Sequence, residues 1–103
     1  MVKIWITNNA GHHFEKALKF TDIPNDKTAL KFLSRGTVNT FHTDRIRSDF
    51  EKKLKDFKEK DILLLCGANV LNAVAVKILA QKFKYFQILI FDGRTREYTK
   101  REL

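Results

Sequence analysis

The segment from Asp61 to Val76, with the sequence DILLLCGANVLNAVAV, constrains the fold of this chain more than any other. Five apolar residues run together from Ile62 to Cys66, and Gly67 and Asn69 then precede an apolar helical pattern. A short strand that is apolar on both faces is typical of a parallel sheet covered by helices. The segment therefore predicts a buried strand, a tight turn and a helix that starts at once.

Length and composition limit the class of protein. The chain has 103 residues, of which 44% are apolar, so we expect a single α/β domain over 1–103 with one modest core. Cys66 is the only cysteine, so no intrachain disulfide can form, which fits a reducing compartment. The apolar run near the start is too short for a signal peptide, and no run approaches membrane-spanning length. The expected localisation is the cytoplasm, with no membrane partner.

The net charge is +8, which favours anionic partners such as nucleotides, nucleic acid, phosphorylated ligands or acidic protein surfaces. The cations are spread along the chain and interleaved with acids, as between Glu51 and Glu59. A solvated lysine-rich surface is therefore the alternative interpretation of this basic protein.

Periodicity and breaker residues predict eight elements. Strands are predicted at residues 2–7, 29–33, 62–66, 86–91 and 94–99, and helices at 13–20, 44–58 and 70–83. The second strand, 29–33, has a helical alternative. Residues 37–42 are predicted to form an extended loop or a short strand. The helix at 44–58 has one narrow apolar stripe, formed by Ile46, Phe50, Leu54 and Phe57.

The alternation of strands and helices predicts an α/β fold with right-handed crossovers. We expect a small three-layer Rossmann-like or flavodoxin-like sheet with four parallel strands in the order 2-1-3-4. Asp92-Gly93 is a strong hairpin signal, so the fifth strand should lie antiparallel to the fourth at the C-terminal edge.

In such sheets ligands bind beyond the carboxyl ends of the strands, where the winding reverses. Here the reversal lies between strands 1 and 3, so the loops Asn8–His13 and Cys66–Asn69 should form the site. We expect an anionic small molecule, a nucleotide or a phosphate ester, at the helix that starts there. The predicted ligand-binding residues are Asn8, Asn9, Gly11, Arg35, Gly67 and Asn69.

Histidines supply the candidate acid–base chemistry, although the sequence leaves open whether the protein is an enzyme. His12 and His13 stand together where a helix should begin, so either could act as a general acid or base, or both could be surface residues. His42 could join one of them in a two-histidine site. Arg35 could clamp a phosphate or lie exposed in a turn.

Several site types are excluded or disfavoured. The chain contains no G-x-G-x-x-G and no G-x-x-x-x-G-K-[ST] motif, so neither a dinucleotide cofactor nor an NTPase is expected. Three histidines without a clustered carboxylate predict no metal site, and no cofactor is expected. Cys66 is interpreted as a packing residue rather than a nucleophile, and Asn69 as a helix N-cap.

Two other functions remain as alternatives. The predicted helix Val70–Phe83 has a second apolar face, which could bind a protein or form a homodimer. That face consists of Val70, Ala73, Val76 and Ala80. The basic C-terminal strand could instead bind nucleic acid. Its cations are Arg94, Arg96, Lys100 and Arg101.

Three stretches, TNNAGHHF, NTFHTDR and GANVLNAVAV, carry a resemblance that extends over most of the chain. In these stretches the chain resembles small α/β proteins encoded by bacteriophages, a group whose activity is uncharacterised. The resemblance implies a phage origin and adds nothing about the roles of individual residues.

Overall fold

A computed structural model describes residues 1–9 and 11–103. Within these ranges the strands are β1 (Ile4–Ile6), β2 (Leu30–Phe32), β3 (Ile62–Leu64), β4 (Gln87–Asp92) and β5 (Glu97–Glu102). The α-helices are α1 (Thr43–Leu54) and α2 (Asn69–Lys82), and 3₁₀ segments span Glu15–Phe20 and Lys27–Ala29. None of the helices in these ranges has the length and apolarity needed to cross a membrane.

The strands form one sheet in the order β2-β1-β3-β4-β5, which confirms the predicted order. The first four strands are parallel, and β5 pairs antiparallel with β4. In the register of the central strands, Ile4 lies between Leu30 and Ile62. The mixed α/β architecture is therefore as predicted, and the second strand, which had a helical alternative, is a strand.

Alternate residues of the short strands enter two apolar clusters on opposite faces of the sheet. Trp5, Leu63 and Ile88 pack with buried residues of both α1 and α2. Ile4, Ile6, Ile62 and Leu64 pack with Phe14 and with Ala17 of the first 3₁₀ segment. Both faces of β1 and β3 are thus covered, which explains why β3 is apolar throughout.

The predicted stripe of α1 is confirmed, since each of its four apolar residues is buried. The helix ends at Leu54, four residues earlier than predicted. The cause is a turn in which the Phe57 N–H donates to the Leu54 carbonyl at 3.1 Å. This turn brings the Phe57 ring into the core against Trp5 and Phe83.

The first predicted helix differs from the structure. The helix predicted at 13–20 is a 3₁₀ segment over Glu15–Phe20. It ends where both the N–H and the hydroxyl of Thr21 donate to the Leu18 carbonyl, and a segment this short accommodates such i→i+3 bonding readily. Residues 37–42 form a loop and turn, which agrees with the predicted loop and not with its strand alternative.

The hairpin between β4 and β5 has a longer turn than Asp92-Gly93 predicts. The turn covers residues 93–96, and Arg96 rather than Gly93 has a left-handed backbone, with φ 58°. Asp92 closes the turn, because its side chain accepts the Arg94 N–H and its carbonyl accepts the Arg96 N–H. Strand β5 therefore begins at Glu97 instead of Arg94.

At the amino end of the sheet, the buried carboxylate of Asp61 joins β1 to the turn before β3. Its side chain is 1% exposed and accepts three hydrogen bonds, each of 3.0 Å. The donors are the backbone N–H groups of Lys3 and Lys58 and the indole N–H of Trp5. A buried carboxylate needs such donors because desolvation otherwise disfavours it.

We expect Asp61→Asn to lower the free energy of unfolding by about 2–3 kcal/mol, because its amide nitrogen would face a donor that then lacks an acceptor. Chemical denaturation monitored by Trp5 fluorescence measures this change. Glu59→Gln is the control, since Glu59 is exposed in the same turn and should change stability by less than about 0.5 kcal/mol. Equal effects of the two substitutions would contradict the role given to Asp61.

Candidate functional site

The carboxyl ends of β1 and β3 lie side by side at the centre of the sheet, where the winding reverses. Strand β2 lies on one side of β1, and β3 and β4 lie on the other. The chain leaves β1 through Thr7, Asn8 and Asn9, and it leaves β3 through Cys66 and Gly67. These are the two loops that the sequence predicts for the site.

A buried polar network links both loops to the start of α2. The Thr7 hydroxyl oxygen lies 2.6 Å from the Cys66 carbonyl and accepts the Cys66 N–H at 2.8 Å. The Asn72 side-chain oxygen lies 2.5 Å from the same hydroxyl and 3.1 Å from the Cys66 nitrogen. Thr7 and Asn72 therefore fix the first turn of α2 against the end of β3.

Asn8 lies between the segment that follows β2 and the segment that follows β3. Its side-chain oxygen accepts the Ser34 hydroxyl at 3.0 Å, and its amide donates to the Gly36 carbonyl at 3.1 Å. On its other side, a Cβ placed on Gly67 would lie 2.9 Å from the Asn8 Cβ. Asn8 is buried and mostly engaged within the protein, so its predicted ligand contact stays a prediction.

Asn9 continues the loop and ties it to the end of β2. Its N–H donates to the Ser34 carbonyl at 2.9 Å, and its carbonyl accepts the Gly36 N–H at 2.8 Å. Its side chain accepts the Gly11 N–H at 3.1 Å, and Gly11 has the left-handed φ of 93°. The predicted loop Asn8–His13 also includes Ala10, which lies outside the described residues.

Helix α2 begins without a side-chain cap. Its N-cap is Ala68, so the prediction that Asn69 caps the helix is wrong. The left-handed Gly67 and the extended Ala68 turn the chain into the helix one residue earlier, which makes Asn69 the first helical residue. Asn69 and Val70 are exposed, and no acceptor for their N–H groups occurs in the described structure. The positive end of the helix dipole is therefore open to an anion.

His12 and His13 lie beside a small hollow of about 190 Å³ on the face opposite α2. Both side chains are exposed, and neither imidazole is hydrogen-bonded within the described part of the chain. The hollow is mainly apolar, and its other polar groups are a thiol and a phenol. The remaining lining residues are Phe14, Leu64, Leu65, Cys66, Phe91 and Tyr98.

Burial raises the pKa of the Cys66 thiol above its usual value, and a backbone hydrogen bond at Gly67 opposes this effect only in part. Burial likewise raises the pKa of the Tyr98 phenol, with a smaller contribution from Cys66. At neutral pH both groups are therefore uncharged. This supports the interpretation of Cys66 as a packing residue, because the thiolate is the reactive form.

His42 does not join the other histidines. It lines a second and larger hollow of about 480 Å³, between the end of β2 and the start of α1, together with Arg35. The Arg35 guanidinium lies over the Phe32 ring, 4.6 Å from its centroid. Across residues 1–9 and 11–103, no group of three or more His, Cys, Asp and Glu side chains is placed to hold a metal ion.

Sequence reasoning did not single out the polar network or the exposed Phe41 next to the larger hollow. Asn72 had a detectable signal, since it is the one polar residue in the run from Val70 to Val76. Phe41 had another, because it is the only aromatic residue in the polar stretch 34–45. Thr7 and Ser34 had no local signal, since their partners are distant in sequence.

Comparison with known proteins adds one finding. Residues 7–103 match the family described as Phage Pam3 gp32-like protein. The chain belongs to this phage protein family. No curated protein and no solved structure matches it. The match begins at Thr7 and so includes both loops of the candidate site, and it confirms the resemblance to small phage proteins.

We expect Gly67→Ala to destabilise the protein more than Gly11→Ala. Both glycines have a left-handed φ, 86° and 93°, which costs alanine about 1–2 kcal/mol. Only at Gly67 would the new Cβ meet the Asn8 Cβ, and such overpacking adds about 1–3 kcal/mol. Denaturant unfolding of both variants measures the difference, and equal losses would show that the contact with Asn8 is unimportant.

Proposed function

We propose that this phage protein is a small Rossmann-like domain that binds an anionic small molecule, a nucleotide or a phosphate ester. The ligand would lie at the carboxyl ends of β1 and β3. One observation carries the proposal: the uncapped and exposed start of α2 lies at the point where the strand order reverses. Open N–H groups and the helix dipole are the features by which α/β domains hold phosphates.

The surroundings of the α2 start support an anion there. Gly67 has no side chain, so a ligand can approach its backbone closely. Ala68 and Asn69 are small and exposed, which leaves room above the helix. The Asn69 amide could add a hydrogen bond to a ligand, since it is free of the capping role that the sequence suggests.

Arg35 and the first loop would complete the site. Asn9 is hydrogen-bonded to the residues on both sides of Arg35, so these bonds hold the first loop next to Arg35. Arg35 forms no ion pair with any described carboxylate, and its charge is available to a phosphate. Asn9, Gly11 and His12 would supply further donors from the loop.

Catalysis is not part of the proposal. A general base is normally oriented by a third group, and the described structure shows no such partner for His12 or His13. His42 lines a different hollow, so the two-histidine arrangement has no support. Acid–base chemistry by His12 or His13 stays a hypothesis, which requires a substrate bound within hydrogen-bond reach of one imidazole.

We expect Asn69→Asp to weaken anion binding about tenfold while the fold remains intact. The added carboxylate repels an anion but suits a helix N-terminus, where it stabilises by about 0.3–1 kcal/mol. Thermal-shift titration with inorganic phosphate, mononucleotides and cyclic dinucleotides measures both effects.

Gln81→Glu is the matched control for this test. It adds the same charge near the other end of α2, so it should leave ligand binding unchanged. Absence of stabilisation by every probe at millimolar concentration would contradict the proposal, since a ligand far above its Kd stabilises by several kcal/mol. Equal weakening by Gln81→Glu would show that only net charge matters.

A second candidate function is homodimer formation through α2. The predicted apolar face of this helix is uncovered, since Val70, Ala73 and Ala80 are exposed and Val76 is half-buried. Ile90 is 44% exposed and lies on the same side of the sheet as Ile88, which packs in the cluster with α2. A second copy of the chain, placed about a two-fold axis, could cover this surface.

We expect Ala73→Glu to weaken such a dimer by at least roughly tenfold, because a two-fold axis would bring two like charges together. Sedimentation velocity over a range of protein concentrations measures the association. Gln81→Glu again serves as the control, since Gln81 lines a groove on the α1 side of the helix. A wild-type protein that stays monomeric at the highest concentration would exclude this function.

A further inference from the structure

Phe41 is the most exposed large apolar residue in the described chain, with 93% of its surface accessible. It lies in the loop between β2 and α1, and its neighbours Thr40 and His42 are polar. Most of the other phenylalanines are buried or half-buried. An aromatic ring held in water has lost the burial that normally stabilises it, so its position requires an explanation.

Hydrogen bonds on both sides fix the backbone that presents Phe41. The Phe41 N–H donates to the side-chain oxygen of Asn39 at 3.0 Å, and the His42 N–H points to the Asn39 carbonyl at 3.4 Å. The His42 carbonyl then accepts the Ile46 N–H at 3.1 Å and so joins the loop to α1. The ring therefore projects from a closed turn.

The hollow of about 480 Å³ begins directly beside Phe41, since Asn39 and His42 both line it. Its charged lining consists of Arg35, Arg45, Lys53 and Asp49, of which Lys53 and Asp49 form an ion pair with a distance of 3.1 Å. Arg45, like Arg35, forms no ion pair with a described carboxylate. Within the described structure, neither arginine therefore forms a salt bridge, although Asp49 lines the same hollow.

We infer that this surface, formed by Phe41, Arg35, Arg45 and the hollow between them, binds single-stranded nucleic acid. A base would stack on the Phe41 ring, and the arginines would contact the adjoining phosphates. Proteins that bind single strands combine these two elements, an exposed aromatic ring and a cationic groove. Bases in a duplex are already stacked and paired, so they could not cover Phe41.

The small apolar area of this surface favours nucleic acid over a protein partner. Among the described residues that form this surface, Phe41 is the one exposed large apolar side chain, whereas protein-binding patches join several apolar residues. Charge favours this surface over the C-terminal strand as the place where nucleic acid would bind. The cations of β5, Lys100 and Arg101, lie between Glu97 and Glu102, so that strand has little net charge.

The test measures fluorescence anisotropy of a labelled oligothymidine of about 12 nucleotides, a length within the range of single-strand sites. The wild type should bind at low salt and prefer the single strand to a duplex of equal length. Phe41→Ala should weaken binding about 5- to 100-fold through lost stacking. Phe41→Trp keeps an aromatic ring and should bind as the wild type does. Arg45→Gln should reduce the slope of log K against log salt by about 0.7, since one phosphate contact is lost.

Two matched variants remove equivalent groups elsewhere. Tyr85→Ala deletes an exposed aromatic ring at the opposite edge of the sheet, and Arg94→Gln deletes an exposed arginine of the β4–β5 turn. Both should bind as the wild type does. Because Phe41 and Arg45 are exposed, their variants should also keep the wild-type Tm, which separates loss of binding from loss of fold.

Three results would overturn the inference. The first is no binding of the oligonucleotide by the wild type at low salt. The second is equal affinity of wild type and Phe41→Ala. The third is loss of binding in Arg94→Gln equal to that in Arg45→Gln, which would assign the affinity to overall charge. This surface shares Arg35 with the site at the α2 start, but Asn69 belongs only to the latter, so Asn69→Asp should leave oligonucleotide binding unchanged.

Discussion

Hydrogen bonds between buried side chains and distant backbone hold the centre of this sheet in place. Strands β1, β2 and β3 are only three residues long, so their ladders provide few backbone hydrogen bonds. At the amino end Asp61 accepts one hydrogen bond from Trp5 of β1 and one from Lys3 just before it, and at the carboxyl end Thr7 bonds to the chain that follows β3. With both ends of β1 fixed in this way, the register of three-residue strands is determined, and a slip would leave buried polar groups unpaired.

The same interactions determine the shape of the candidate site. Asn8 bonds to the chain after β2 and touches Gly67 after β3, so the loops that follow three neighbouring strands share one wall. Asn72 bonds to the residue before Gly67 and thereby sets where α2 begins. Hydrogen bonds thus join the start of α2 to Thr7 at the end of β1.

The sequence predicts the fold well because the fold depends on periodicity. Alternating apolar residues, the stripe of α1 and the hairpin signal at Asp92 together indicate the strand order that the structure confirms. It predicts the site less completely, because the deciding contacts join residues far apart. Thr7 and Cys66 are 59 positions apart, and Trp5 and Asp61 are 56 apart, so no local pattern reveals these pairs. The wrong assignment of Asn69 as a cap has a backbone cause: the left-handed Gly67 and the extended Ala68 start the helix one residue before the position that the capping pattern predicts.

Polar residues near the carboxyl edge of the sheet divide into two groups. Thr7, Asn8 and Asn72 make hydrogen bonds within the protein and are at least half-buried, and Lys53 pairs with Asp49. Among the groups that the described fold leaves free are the first N–H groups of α2, the guanidinium groups of Arg35 and Arg45, and the Phe41 ring. The polar groups of this set are donors or cations, and the apolar one is a flat aromatic ring. This combination suits a ligand with both phosphate and base, which is the chemistry that a mononucleotide and a single strand of nucleic acid have in common.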